Sequence, residues 1–175
     1  MRTLREGGVS DLRFVYDFEN VPIREEIMDS EMLPWDQFFA SEKNAMDSGT
    51  QKYFLLENSD IPEGYVRFTY KSELWYASAW GRWIKTLIHC GMLAAFDYLK
   101  IPFIVWNIRE ANKRWLKVCE KYPFQLVGEN SLFVTLSKPP YLAVAKFFHY
   151  TIQAETFFEK REVFEKYSLP VQVRW

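Results

Sequence analysis

Arg82 and Lys85 stand three residues apart at the start of a helical pattern that follows Gly81. The first turn of a helix leaves backbone N–H groups without intrahelical acceptors and carries the positive end of the dipole, so two cations there favour an anion such as a pyrophosphate. Gly81 lets a backbone approach such a ligand closely. Solvated surface cations and an ordinary turn glycine would produce the same letters, because charged side chains usually face water. Asn112 opens a second helical pattern and suits an N-cap. Trp75, Tyr76, Trp80 and Trp83 fall close together and suit either a pocket wall or core packing. His89 and His149 are far apart, with no Cys or carboxylate partner at metal-ligand spacing, so neither reads as a metal site. No nucleophile elbow, phosphate-binding Walker loop or zinc pattern is present.

The elements that must position these residues follow from periodicity and punctuation. A short strand near Thr3 to Glu6 is broken by Gly7-Gly8. Ser10 then stands as N-cap of a helix carrying Leu12, Val15, Tyr16 and Phe18, ended by Asn20 and Pro22. Pro34 suits the first turn of a second helix with Trp35, Phe38, Phe39 and Met46 near one face, stopped by Asp47-Ser48-Gly49. Lys52–Glu57, Gly64–Tyr70 and Glu73–Ser78 read as three antiparallel strands of a meander. From Arg82 to Leu99 the apolar residues Ile84, Leu87, Ile88, Met92, Ala95, Phe96 and Leu99 recur at three- and four-residue intervals, the mark of one buried helical stripe. Phe103–Trp106 is a continuous apolar run of the kind a central strand shows, which predicts a parallel pair with the strand around Trp75 across the intervening helix. The helix opened by Asn112 stops at Tyr122-Pro123, and Phe124–Gly128 with Ser131–Leu136 reads as a closing hairpin.

A chain of 175 residues with 49% hydrophobic and 18% aromatic residues can bury a substantial core. Lys plus Arg (22) nearly balances Asp plus Glu (23), and a net charge of −1 gives no broad basic field for nucleic acid. The two cysteines, Cys90 and Cys119, fall in helical segments, which suits a reducing cytoplasm. The first residues lack the apolar core of a signal peptide and no run is long enough to span a membrane, so the expectation is a cytoplasmic protein with no membrane or nucleic-acid partner.

The order of elements, above all Gly81 through Phe124, resembles the GCN5-related N-acetyltransferases (GNAT family). Trp80-Gly81-Arg82-Trp83-Ile84-Lys85 occupies the place of the family's Gln/Arg-x-x-Gly-x-Gly/Ala loop, with Trp83 and Lys85 where the family has loop glycines. Asn112…Cys119-Glu120-Lys121-Tyr122-Pro123-Phe124 corresponds to Asn…Tyr-Glu-Lys-x-Gly-Phe, with Cys119 at the tyrosine and Pro123 at the glycine. Phe18-Glu19-Asn20-Val21-Pro22-Ile23-Arg24 and Trp35-Asp36-Gln37-Phe38-Phe39 are similar to a region of the sugar-nucleotide and ribosomal-protein acetyltransferases. The likeness spans roughly residues 2 to 138.

This resemblance implies an α+β fold, a mostly antiparallel sheet with a parallel strand pair at its centre, flanked by helices, to which the pattern of the tail adds a C-terminal helix. It implies transfer of an acetyl group from acetyl-CoA to a primary amine: an amino-sugar nucleotide, a peptide N-terminus or a small amine. The strand Glu73–Ser78 would lie beside the pantetheine arm through Trp75, Tyr76 and Ala77, Gly81, Arg82 and Lys85 would hold the pyrophosphate, and Asn112 would touch the pantetheine. Glu73 would serve as base or water-positioner, and Cys119 stands where the acid toward the CoA thiolate is expected; a solvated edge carboxylate and a small buried thiol are the bland alternatives. The competing function is a non-catalytic member of the fold that has lost CoA binding with its loop glycines and uses the aromatic cleft for binding or assembly.

Beyond Pro139-Pro140 the pattern of Leu142, Ala145, Phe148, Ile152 and Phe157 or Phe158 is compatible with one helix over Tyr141–Tyr167. The reading is therefore a domain over 1–138 and a helical extension over 139–175 that docks on the domain or on a second subunit, a possible homodimer.

Overall fold

A computed structural model describes residues 1–20, 33–135 and 142–175. Val21–Arg24, Leu136, Pro139-Pro140 and Tyr141, named above from sequence, lie outside the described residues. β1 (Arg2–Glu6) pairs antiparallel with β2 (Gln51–Asn58), which continues through β3 (Ile61–Lys71) into β4 (Leu74–Gly81) as an antiparallel meander. Both hairpins turn through two residues with positive φ, Ser59-Asp60 (51° and 64°) and Ser72-Glu73 (51° and 63°), the conformation that matches strand twist in a two-residue turn. β4 therefore starts at Leu74, and Glu73, expected at the head of the strand, sits at the tip of the turn.

α3 (Ile84–Met92) continues as a wider π-type turn over Leu93–Tyr98 and leads into β5 (Phe103–Arg109). β5 lies parallel to β4, as the helix between them predicts, with pairing at Tyr76↔Val105. α4 (Lys113–Cys119) follows, with Asn112 as its N-cap: Oδ1 accepts the Trp115 N–H at 3.3 Å. Near the N-terminus, α1 (Leu12–Glu19) is entered through a 3-10 turn, Val9–Asp11. Asp11 rather than Ser10 closes that turn, because its carboxylate accepts the Gly8 N–H and is bridged by Arg5, both at 2.8 Å. α2 is Trp35–Asp47.

The last third departs most from the expectation. β6 (Gln125–Thr135) is one long strand rather than a closing hairpin. Gly128 marks a register shift against the next strand and not a chain reversal. Leu142–Gln153, expected as part of a helix, is strand β7, inserted between β5 and β6. The helix-compatible stripe is divided by the pleat: Ala145 and Phe147 face one side, Phe148 and Ile152 the other. β-Branched and aromatic residues in this run favour a pleated surface. Helical structure begins only at α5 (Ala154–Glu159) and α6 (Arg161–Tyr167), before β8 (Val171–Arg174) pairs parallel with β1. The eight strands run β6-β7-β5-β4-β3-β2-β1-β8.

One face of this sheet is covered. Phe54, Phe68, Ile104, Trp106 and Ile152 pack with Leu87 and Ile88 of α3, Trp115 of α4 and Phe157 and Phe164 of α5 and α6. On the other face, α1 and α2 pack on β2, β3 and the Trp80 end of β4, with Leu12, Val15 and Phe38 on Tyr53, Leu55 and Tyr65. Among the described residues no helix lies over β5, β7 and β6 on that second, more open face, where Val134, Ala145 and Phe147 form a small buried cluster.

Candidate functional site

Pairing of β4 with β5 is confined to one position, and beyond it toward their C-terminal ends the strands diverge around a cavity of about 260 Å³ on the covered face, walled by Ala79, Gly81, Ile84, Trp106, Asn112 and Arg114. A second, wider cavity of about 770 Å³ lies on the open face, bounded by Arg67, Lys71, Tyr76 and His149. Ala77, Ser78 and Asn107 line both cavities. A strand edge left without a neighbour carries N–H and C=O groups that can pair with an extended ligand as with an added strand.

The covered cavity combines the start of a helix, a cation and an unpaired buried donor. It opens at the start of α3, whose N-cap Trp83 supplies no side-chain bond to the first turn. Arg114 lines it and donates to the Arg82 carbonyl at 3.4 Å. Trp106, 3% exposed and tilted against Trp115 at 4.8 Å, has an indole N–H with no acceptor among the described residues. Such a donor gains most from a ligand carbonyl, because a buried unpaired N–H costs about 1–3 kcal/mol.

On the open face, Asn107 and His149 are cross-strand partners in the β5–β7 ladder, and His149 Nδ1 lies 2.7 Å from Asn107 Oδ1. Ser78 Oγ accepts from Arg67 Nε at 3.3 Å, and Arg67 pairs with the fully buried Glu19 at 3.4 Å. Burial works against the charge on Arg67, but Glu19 together with Tyr53, Tyr65 and Glu42 outweighs it and the guanidinium pKa is raised. Tyr65 donates to Glu19 and Tyr53 to Glu42. Burial pushes both phenols well up, so they stay neutral. Among the described residues the wall of this cavity holds no carboxylate.

The residues singled out by sequence are brought together only in part. Gly81 and Asn112 line the covered cavity, Tyr76 lines the open one, and Ala77 lies between them. Trp75 packs beside Tyr70 at 5.1 Å and lines neither. A Cβ on Gly81 would meet Leu87 Cδ1 at 2.5 Å and Gly64 Cα at 2.9 Å, so close packing of β3, β4 and α3 already requires glycine there. Arg82 is exposed, and the Lys85 ammonium lies over the Tyr167 ring at 4.8 Å; neither lines the covered cavity. Glu73 is exposed at its turn. Cys119 is 3% exposed, lines neither cavity, and burial pushes its thiol up to about 12. Sequence reading missed Ser78, Trp106, Asn107, Arg114 and His149. Arg114 had a signal, two residues past the N-cap of a helix beside the loop; Asn107 and His149 had none short of strand register.

No family model matches the chain, and no curated protein matches its sequence. Solved structures do match. The spermidine N-acetyltransferase of Vibrio cholerae in complex with CoA and spermine superposes with a TM-score of 0.74 at 16% identity, covering 90% of this chain and 98% of that one. A chimera of that enzyme with hSSAT gives 0.75 at 16%, over 91% and 99%. The dodecameric form of the Vibrio cholerae enzyme gives 0.68 at 16%, over 91% and 97%. At this identity the likeness establishes the fold: a GNAT-like α+β sheet, mostly antiparallel with one central parallel pair between β4 and β5.

Proposed function

We propose that the chain transfers the acetyl group of acetyl-CoA to a primary amine. The observation that carries this is the diverging β4–β5 pair, whose two cavities share Ala77, Ser78 and Asn107. In this reading the pantetheine arm occupies the covered cavity and pairs with the backbone of Ala77–Ala79. Trp106 Nε1–H offers a donor to an arm carbonyl, and the pyrophosphate takes the first-turn N–H groups of α3 with Arg114. The thioester then lies between Ser78 and Asn107, and the amine approaches from the open face. Holding both reactants across one gap supplies the orientation that acyl transfer needs. The acceptor panel follows from the walls: amines bearing an anionic group suit Arg67 and Lys71, and polyamines belong in it because a structure of similar fold holds spermine.

Saturating acetyl-CoA at about 100 times its dissociation constant should add roughly 2.7 kcal/mol of stability, read as a melting shift. Arg114→Ala should shrink the shift, and free CoA thiol should appear only when an acceptor amine is added. The second reading, a binding protein of the same fold without catalysis, is favoured by the position of Lys85 on Tyr167, which draws one of the two expected cations away from the covered cavity. No melting shift and no thiol with any amine would select that reading.

A further inference from the structure

We infer that His149, held by Asn107, is the proton acceptor for the incoming amine. This rests on the acyl-transfer reading of the same site and adds to it the group that performs the deprotonation. An amine arrives at neutral pH as R–NH3⁺ and cannot attack until it loses a proton, so the acceptor side of the gap needs a base. Among the described residues lining the open cavity, the titratable side chains are Arg67, Lys71, Tyr76 and His149. Arg67 is a cation paired with Glu19, and Lys71 belongs to a residue type charged at neutral pH. A phenol ordinarily ionises near pH 10, whereas imidazoles exchange protons near neutrality. His149 is the group of the right kind.

Its placement fits the task. β7 sets His149 directly opposite Asn107 on β5, and their side chains meet at 2.7 Å through Nδ1 and Oδ1. A carboxamide oxygen only accepts, so Nδ1 carries the hydrogen and Nε2 keeps its lone pair. Asn107 also lines the covered cavity, which places the pair at the gap where the thioester would sit. From β6 the neighbours are Gly128 and Asn130, neither of them charged.

The step balances. Nε2 takes one proton from R–NH3⁺, and the nitrogen lone pair then attacks the thioester carbonyl carbon. The N–C bond forms, the C–S bond breaks with its electron pair on sulfur, the second nitrogen proton goes to the thiolate, and the imidazolium releases its proton to water. Asn107 acts through His149 and is a positioning residue.

The test compares the wild-type chain with His149→Gln and Asn107→Asp. The Gln variant should keep the acetyl-CoA melting shift and the acetyl-CoA KM while kcat falls about 100-fold or more, within the range general bases supply, and the acid limb of its pH profile should flatten. Free imidazole should restore part of the rate of His149→Ala. A carboxylate at 107 should stabilise the imidazolium and move the acid limb to higher pH. A Gln variant within threefold of wild type with an unchanged acid limb would overturn the inference while leaving acyl transfer intact; loss of both thiol release and the melting shift in the wild type would overturn the reading beneath it. Independently of turnover, nitrogen-resolved NMR should find neutral His149 protonated at Nδ1. Protonation at Nε2 would overturn the assignment whatever the chain catalyses.

Discussion

The two faces of the sheet differ in chemistry. The covered face is an apolar core that includes Phe157 and Phe164, and Trp106 and Trp115 wall a narrow cavity in it. The open face carries Arg67, Ser78, Asn107 and His149 along alternating strand positions, with room above them. Binding an extended arm needs dry, fixed walls; moving a proton needs polar groups that solvent or substrate can reach. In the proposed acyl-transfer reading, the parallel pair that diverges between the faces is where one would serve the other.

The strongest way to break this contrast is to open the covered face. Phe164 is fully buried, 5.0 Å from Tyr122 and 5.3 Å from Phe157. Phe164→Ala should destabilise the chain by about 3–5 kcal/mol, read from a lowered urea midpoint with unchanged slope. A loss below about 1 kcal/mol would mean that α6 is not part of this core. Gly81→Ala comes next. The added methyl would meet backbone at Gly64, which cannot swing aside, as well as Leu87. Overpacking of this kind costs about 1–3 kcal/mol, and the acetyl-CoA melting shift should fall with it, because β4 turns into α3 at this residue.

The covered face was largely legible in the sequence and the open face was not. The stripe Leu87, Ile88, Met92 and Phe96 announces a helix by local spacing, and Asn112 announces the next one; both are found. Local signals also mislead where the same letters fit two periods, as in β7, where a helix-compatible stripe lies on a strand because partners on β5 and β6 complete its ladder. The site on the open face depends on such pairing. Asn107 and His149 are 42 residues apart and meet only through the β5–β7 register. Lys85, by contrast, was placed correctly at the head of α3 and still missed the cavity, because a four-carbon side chain can reach the Tyr167 ring instead.

The two histidines sharpen the comparison by pH. His89 lies in α3 on the covered side, and neither of its ring nitrogens has a partner among the described residues. Burial lowers its pKa, only partly offset by Glu165 and Asp97. A lowered folded-state pKa means that the unfolded chain takes up the proton first. The stability from neutral His89 is therefore present above the ordinary imidazole range and is lost as pH falls through it toward the folded value. Wild-type stability should decline from about pH 7 to pH 5, and His89→Phe should flatten that segment of the curve. An equally steep decline in the variant would assign the slope to other groups.

The smallest effect tests the turn that joins β3 to β4. Glu73 has φ of 63° and is exposed. A side chain with a Cβ in the left-handed region costs about 1 kcal/mol that glycine avoids, while glycine adds freedom to the unfolded chain, so Glu73→Gly should stabilise by a few tenths to about 1 kcal/mol. The same substitution separates the two carboxylate roles open at this position. A base or water-positioner would leave a large loss of kcat behind, whereas a turn residue outside both cavities would leave turnover within about twofold and the acid limb of the pH profile in place. A raised melting temperature with unchanged turnover would confine proton transfer to the open face. A raised melting temperature with kcat reduced about 100-fold would return it to the β3–β4 turn and remove the division of labour between the faces.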